Sequence, residues 1–336
     1  MSKDIIILGI ESSCDDTSVA ILKNNKVLSN VIANQDIHTK YGGVVPELAS
    51  RAHQKNIIPV VNEALFLAKI NKSEIDAIAY TKGPGLMGSL LVGGSFAKGF
   101  ALGINKPLIS VNHMQGHILS HFISNNLYKP PTFPFLCLTV SGGHTQIVLV
   151  KNYLDMEVIG QTIDDAAGEA FDKSAKVLGL DYPGGPLIDK FSKNGNIHAF
   201  KFAKPKIKDL DFSFSGLKTS IMNLINNEKN KNNNFINENL EDLCASIQYS
   251  IVNILIEKVK LASLHTGIKN IAIAGGVSAN SYLREQLLLL KEFNMYIPKF
   301  EYCTDNAAMI AMAGYYKYIN KDFGNFNETS TPRLKF

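Results

Sequence analysis

The sequence predicts an α/β protein of two domains built from one duplicated β-rich unit. Three observations carry this. A strand, polar turn, strand layout at residues 5–22 returns at residues 135–150, and a repeated layout says more than either copy alone. Apolar runs at 75–81 and 271–274 each lead into a glycine-bearing turn and then a helical pattern, the order of a parallel α/β unit. With 336 residues the chain is long enough for two cores that need no disulfides.

Taken in order, residues 4–8 form an apolar run that enters Gly9-Ile10-Glu11-Ser12-Ser13-Cys14-Asp15-Asp16-Thr17, and residues 18–22 form a second, β-branched run. The turn offers amides and hydroxyls to an anion, although Asp and Ser populate any turn. From Tyr41-Gly42-Gly43 a helix starts with Pro46 in its first turn, and helical spacing continues through Ala49, His53, Ile57, Val60 and Ala64. Pro59 is expected to divide it into two helices. Arg51 and His53 are read as lying on a solvated or partner-facing side. The strand at 75–81 enters Lys82-Gly83-Pro84-Gly85-Leu86-Met87-Gly88-Ser89, whose amides can face an anion. No Gly-Lys-Ser/Thr follows, which excludes a P-loop. A helix from about Leu90 to Gly103 and a short strand at 107–111 deliver the chain to Val111-Asn112-His113-Met114-Gln115-Gly116-His117.

A stiff segment rich in proline, 129–134, opens the second copy: a strand at 135–140, the turn Ser141-Gly142-Gly143-His144-Thr145, and a strand at 146–150. A helix follows Asp164-Asp165, with Glu169, Asp172 and Lys173 on nearby turns. Tyr182-Pro183-Gly184-Gly185-Pro186 is a turn that a ribose or phosphate can approach closely, and the Asp211–Lys218 stretch caps another helix. Residues 226–239, rich in Asn, read as a mobile loop, and 240–262 as a long amphipathic helix. Ala274-Gly275-Gly276-Val277-Ser278-Ala279-Asn280 ends a buried strand where a nucleotide's base or ribose is usually held; Asn280 has two readings, a hydrogen bond to that ligand or a helix cap.

Composition narrows the class further. Cys14, Cys137, Cys244 and Cys303 lack any C-x-x-C spacing, which fits a reducing compartment and no thiolate zinc site. No run reaches the roughly 18 apolar residues of a membrane span, so no membrane partner is expected and the protein is read as cytoplasmic. A net charge of +4 permits a polyanionic partner without identifying one. Lys201, Lys204, Lys206 and Lys208 offer a face to a nucleic acid or simply a solvated loop.

The sharpest chemical signal is His113 and His117. Four residues apart on a helix, both imidazoles lie on one face and reach one cation. Asp305, in Cys303-Thr304-Asp305-Asn306, is the best third ligand, and two His with one carboxylate leave coordination positions open to a substrate. His121, one turn further on, is read as outer shell or surface.

Eight runs in order resemble the tRNA N6-adenosine threonylcarbamoyltransferase family, in its bacterial or organellar branch, over essentially the whole chain. They are Gly9 to Asp15, Gly42-Gly43-Val44-Val45-Pro46-Glu47-Leu48-Ala49-Ser50-Arg51, the His113/His117 pair, Ser141-Gly142-Gly143-His144-Thr145, Phe171-Asp172-Lys173, Tyr182-Pro183-Gly184-Gly185-Pro186, Ala274 to Asn280, and Cys303-Thr304-Asp305-Asn306. Gln115, Lys82, Thr139 and Ala307 depart from the family's commonest residues, and none of these departures removes a metal ligand.

The resemblance implies an actin/hexokinase-like fold, with one domain at 1–133 completed by about 306–336, a second at 134–305, and a nucleotide cleft between the halves. It implies transfer of threonylcarbamoyl from threonylcarbamoyl-AMP to N6 of the adenosine beside the anticodon, in tRNAs reading codons that begin with adenine, with AMP released. By position it implies one divalent metal on His113, His117 and Asp305, with Fe2+ first and Zn2+ second. The adenylate contacts it implies are Thr139, Val140, Ser141, Gly142, Gly143, Asp172, Gly185, Asp189 and Asn280. Its implied partners are tRNA, a paralogous TsaB-like protein pairing through helices near 46–69, and a TsaE-like ATPase. The acceptor amine is conjugated with the adenine ring and is a poor nucleophile, so placement and polarisation of the electrophile carry the reaction. Asp15, at the first turn, is the candidate for proton handling or amine positioning.

Three rival classes are weighed against this reading. A kinase of the same duplicated fold has no need of a histidine pair. A zincin protease needs H-E-x-x-H, whereas Met114 follows His113. A non-catalytic nucleotide scaffold has no use for an open metal site.

Overall fold

A computed structural model describes residues 3–124, 129–205 and 207–336 of the chain. The short β-branched runs at the start form an antiparallel meander, β1 (Ile6–Glu11), β2 (Thr17–Lys23) and β3 (Lys26–Ala33). Helix α1 (Pro46–Ala68) leads to β4 (Ala77–Gly83), helix α2 (Met87–Gly103) to β5 (Leu108–Asn112), and β5 passes directly into α3 (His113–Leu119). The sheet order is β3-β2-β1-β4-β5, with β1, β4 and β5 parallel. β1 is buried along its whole length, as expected of a central strand covered on both faces.

The second sheet repeats the first. Strands β6 (Phe135–Val140), β7 (Thr145–Val150) and β8 (Met156–Gln161) form its antiparallel meander. Five helices follow: α4 (Ala167–Val177), α5 (Gly184–Phe191), α6 (Ser215–Lys229), α7 (Phe235–Glu238) and α8 (Leu240–Thr266). Strand β9 (Asn270–Ala274), helix α9 (Ser281–Leu288) and β10 (Asn294–Tyr296) complete the unit. Its order, β8-β7-β6-β9-β10, carries the same antiparallel and parallel pairings position for position. The last helix, α10 (Ala307–Ile319), packs on the first sheet. One compact unit comprises Met1–Pro131, Asn152–Asp155 and Pro298–Phe336, and the other Thr132–Lys151 and Met156–Ile297.

Each unit has its own core. Leu8, Ile10, Val19, Ile57, Val61 and Ile78 are among the apolar side chains that fill the first, and Leu138, Phe171, Phe214, Ile247, Leu255 and Ile273 the second. Gly9 lets α10 lie close on β1: a Cβ there would stand 2.5 Å from the Ala307 carbonyl oxygen. That close approach fixes where Asp305, just before α10, can reach.

Two expectations are corrected. Pro59 does not divide α1, which runs unbroken for 23 residues. Pro59 and Lys55, whose carbonyl loses its helical donor, are both exposed, so water can take that bond. Residues 226–239 are not a structureless loop: α6 runs to Lys229, and Phe235 and Ile236 of α7 are buried against the second core. Among the described residues no helix is long and apolar enough to cross a membrane.

Candidate active site

Strands β1, β4 and β5 are parallel neighbours, so their carboxyl ends form one row at one edge of the sheet. Glu11 ends β1, Thr81 lies near the end of β4, and His113 follows β5. Such an edge is where open α/β sheets hold ligands. Asn112 caps α3: its Oδ1 accepts from the Met114 amide at 2.9 Å, and its Nδ2 donates to the Lys335 carbonyl at 3.1 Å. The helix that carries both histidines is therefore tied at its start to the C-terminal segment.

His113 and His117 stand one turn apart on α3, their ring planes nearly perpendicular and their centroids 4.7 Å apart. Both Nε2 atoms face one oxygen: Asp305 Oδ1 lies 3.4 Å from His113 Nε2 and 3.2 Å from His117 Nε2. The three ligand atoms fall within 4.8 Å of one another. Metal bonds of about 2.0–2.2 Å place neighbouring ligand atoms about 3–3.5 Å apart, so this spacing suits a divalent metal. The His117 side chain is fully buried and Asp305 keeps 28 % exposure, which leaves the cluster open on its carboxylate side.

The electrostatics are those of a preorganised polar cluster. Burial alone would lower the His113 pKa, but the carboxylates of Asp305 and Glu11 outweigh it and hold the ring well above its ordinary value. Burial would raise Asp305, yet the neighbouring His113 keeps its carboxyl far below the usual carboxylate range. His117 is pushed down by burial, so its ring favours the neutral form that ligates metal. Its Nδ1 is buried without a hydrogen-bond partner among the described residues.

Asp15 is half-buried in the β1–β2 turn, two positions beyond Ser13, whose Oγ lies 3.1 Å from His113 Nδ1. The turn after β4 uses its amides within the chain: Gly85 N–H donates to the Pro332 carbonyl at 3.1 Å and Leu86 N–H to the Ser13 carbonyl at 2.7 Å. It braces the β1–β2 turn and the C-terminal segment. His53 is fully buried, which corrects its expected solvated position: Nε2 donates to the Cys14 carbonyl at 2.9 Å, and Nδ1 accepts from Thr17 Oγ1 at 2.8 Å. Arg51 is exposed and pairs with Glu47.

The remaining expected contacts all lie in the second unit. Thr139 and Val140 are fully buried at the end of β6, while Gly142 and Gly143 are exposed in the turn beyond Ser141. Gly275 follows β9 at φ +89°, and a Cβ there would stand 2.5 Å from the Val140 carbonyl oxygen, so only glycine lets the two turns meet. Asp172 Oδ1 accepts from the amides of Gly184 at 2.8 Å and Gly185 at 3.2 Å, aligning the start of α5. Burial raises its pKa against those two bonds. Asp189 accepts from the amide and the hydroxyl of Ser281. Asn280 caps α9 through the Leu283 amide at 2.9 Å and donates to Gln248 Oε1 at 2.6 Å.

Comparison with known proteins decides the family. A sequence profile described as tRNA N6-adenosine threonylcarbamoyltransferase matches residues 26–312. The chain is 60% identical over 335 residues to the protein of that name from Christiangramia forsetii, covering 99% of this chain and 98% of that protein. It is 61% identical over 336 residues to the one from Riemerella anatipestifer, with the same coverage. The chain belongs to the tRNA N6-adenosine threonylcarbamoyltransferase family. It is a transferase of the actin/hexokinase-like fold class. Two solved structures share that fold at low identity. One is component A of the (R)-2-hydroxyglutaryl-CoA dehydratase of Acidaminococcus fermentans, at TM-score 0.53 and 16% identity over 94% of this chain and 99% of that one. The other is full-length HypF, at 0.57 and 14% over 94% and 46%.

In this transferase the structure also draws in residues that the sequence reading left without a role. Glu11 and Thr81 contact each other beside His113, and Gln248 joins Asn280 to Ser192. A lone acidic residue at the end of an otherwise apolar, buried strand was the available signal for Glu11. Of the lysines read as a tRNA-facing loop, Lys201, Lys204 and Lys208 are exposed, Lys204 pairs with Glu257, and Lys206 lies outside the described residues.

Proposed function

We propose that this transferase moves the threonylcarbamoyl group of threonylcarbamoyl-AMP onto N6 of the adenosine beside the anticodon, in tRNAs that read codons beginning with adenine. The new bond joins N6 to the carbamoyl carbon; the bond from that carbon to the phosphate oxygen breaks, AMP leaves with the electron pair, and N6 gives up a proton. The observation that carries this reading is the convergence of His113, His117 and Asp305 on one point, in a chain 60% identical to a transferase of that name.

His113, His117 and Asp305 would hold one divalent metal, Fe2+ first and Zn2+ second, which when bound supplies Lewis-acid polarisation of the carbamoyl oxygens. The chain's own residues do the rest. Thr139, Val140, Ser141, Gly142, Gly143, Asp172, Gly185, Asp189 and Asn280 seat the adenylate, so the leaving group is fixed before the amine arrives. Asp15 orients the amine or accepts its proton. The tRNA binds with help from exposed lysines such as Lys201 and Lys208. A paralogous TsaB-like protein pairs through the helical stretch near 46–69, where Ile58, Phe66 and Leu67 are exposed apolar side chains, and a TsaE-like ATPase completes the set.

The test is mass analysis of nucleosides from unmodified tRNA incubated with threonine, bicarbonate, ATP and the partner proteins. Threonylcarbamoyladenosine is expected only when this chain is present, and equal product without it would refute the assignment.

A further inference from the structure

Glu11 is fully buried at the end of β1, where among the described residues its carboxylate meets a backbone amide, a hydroxyl and the His113 Nδ1, which Ser13 Oγ also approaches at 3.1 Å. Its Oε1 accepts the Ser13 amide at 2.5 Å; its Oε2 lies 2.6 Å from Thr81 Oγ1 and 3.0 Å from His113 Nδ1. An ionised carboxylate is an acceptor only, so it matches this surround where an amide would set its own N–H groups against other donors. A hydrogen bond at Nδ1 leaves the other ring nitrogen as the ligand atom, and His113 Nε2 is the atom that faces Asp305.

We propose that Glu11, supported by Thr81 and the Ser13 amide, is the positioning residue of the centre: it holds the His113 ring so that Nδ1 carries the proton and Nε2 presents its lone pair to the metal. The inference rests on the metal reading of His113, His117 and Asp305 given above. Outer-shell acceptors of this type set ligand orientation and basicity, and their loss lowers metal affinity by roughly 10–100-fold. Among the described residues His117 Nδ1 is buried with no hydrogen-bond partner, so the preorganisation they supply is concentrated on His113.

The experiment uses the full-length protein titrated with Zn2+ against a chromophoric chelator, with circular dichroism as the check on folding. Glu11→Ala is expected to weaken Zn2+ binding by at least about tenfold, within the range for lost outer-shell partners. Glu11→Gln is expected to weaken it less, because one acceptor oxygen remains. The nitrogen-15 spectrum of Zn2+-loaded wild type needs no variant and is expected to show His113 protonated at Nδ1 and ligated through Nε2. Ligation through Nδ1, or variants that fold and bind Zn2+ as wild type does, would overturn the role of Glu11 while leaving the metal site intact. Wild type that binds no Zn2+ would overturn the metal reading itself, and this inference with it.

Discussion

His53 shows how a single buried side chain couples pH to stability. Burial is the largest influence on its pKa and lowers it, with the Cys14 carbonyl opposing. Below the unfolded value of about 6.5 the unfolded chain takes up a proton that the folded chain refuses, so stability falls as pH drops from there towards the lower folded value. Urea unfolding at pH 8 and pH 5 is expected to show a smaller loss in His53→Gln than in wild type; equal losses would contradict the assignment. Asn280 is another case, since one side chain both caps α9 and satisfies the buried Gln248. Asn280→Ala is expected to cost about 2–4 kcal/mol in urea unfolding, the sum of a lost cap and an unpaired buried amide. It is also expected to raise the KM for the adenylate donor, if the side chain contacts that ligand. At this scale the sequence discloses His113, His117 and Asp305 through ligand type and the helical spacing of the pair. It does not disclose Glu11, whose distant partners come from β4 and α3, or the burial of His53, which depends on how α1 lies against the β1–β2 turn.

Elements rather than single residues decide where the third ligand stands. Asp305 precedes α10, and α10 is pressed onto β1 through Gly9, so a methyl group at Gly9 pushes on the helix that positions the carboxylate. Gly9→Ala is expected to destabilise the protein by about 1–3 kcal/mol, as overpacking does. Zn2+ affinity, read by chelator competition, is expected to fall with it. A variant with unchanged affinity would show that α10 does not fix Asp305. The same scale explains why Pro59 misled the sequence reading. A proline costs a helix one hydrogen bond, and whether that bond is needed depends on which face is wet. It also explains α7: Phe235 and Ile236 are two apolar residues in a polar stretch, too few for a periodic pattern, yet enough to dock the segment on a core.

Across the whole molecule, duplication is the organising fact. Both sheets share one strand order and one set of pairings, although the sequence reveals only two strands of each meander. The third strands, β3 and β8, escape because they are edge strands with mixed burial and no clean alternation. Equivalent edges of the two sheets carry different chemistry: Glu11 at the end of β1 and His113 just after β5 in the first, and a glycine turn after β9 pressed against the end of β6 in the second. On the function proposed above, one copy would hold a metal and the other an adenylate, a division that strand order alone does not predict. Metal removal tests the role of His113, His117 and Asp305 most directly. Purified wild type and the His113→Ala, His117→Ala double variant are stripped with chelator, assayed for threonylcarbamoyladenosine in tRNA with the partner proteins, and assayed again after Fe2+ or Zn2+ is restored. Wild type is expected to lose activity on stripping and regain it with metal, while the folded double variant stays inactive throughout. Full activity in the stripped wild type, or in the double variant, would contradict the metal role of these residues.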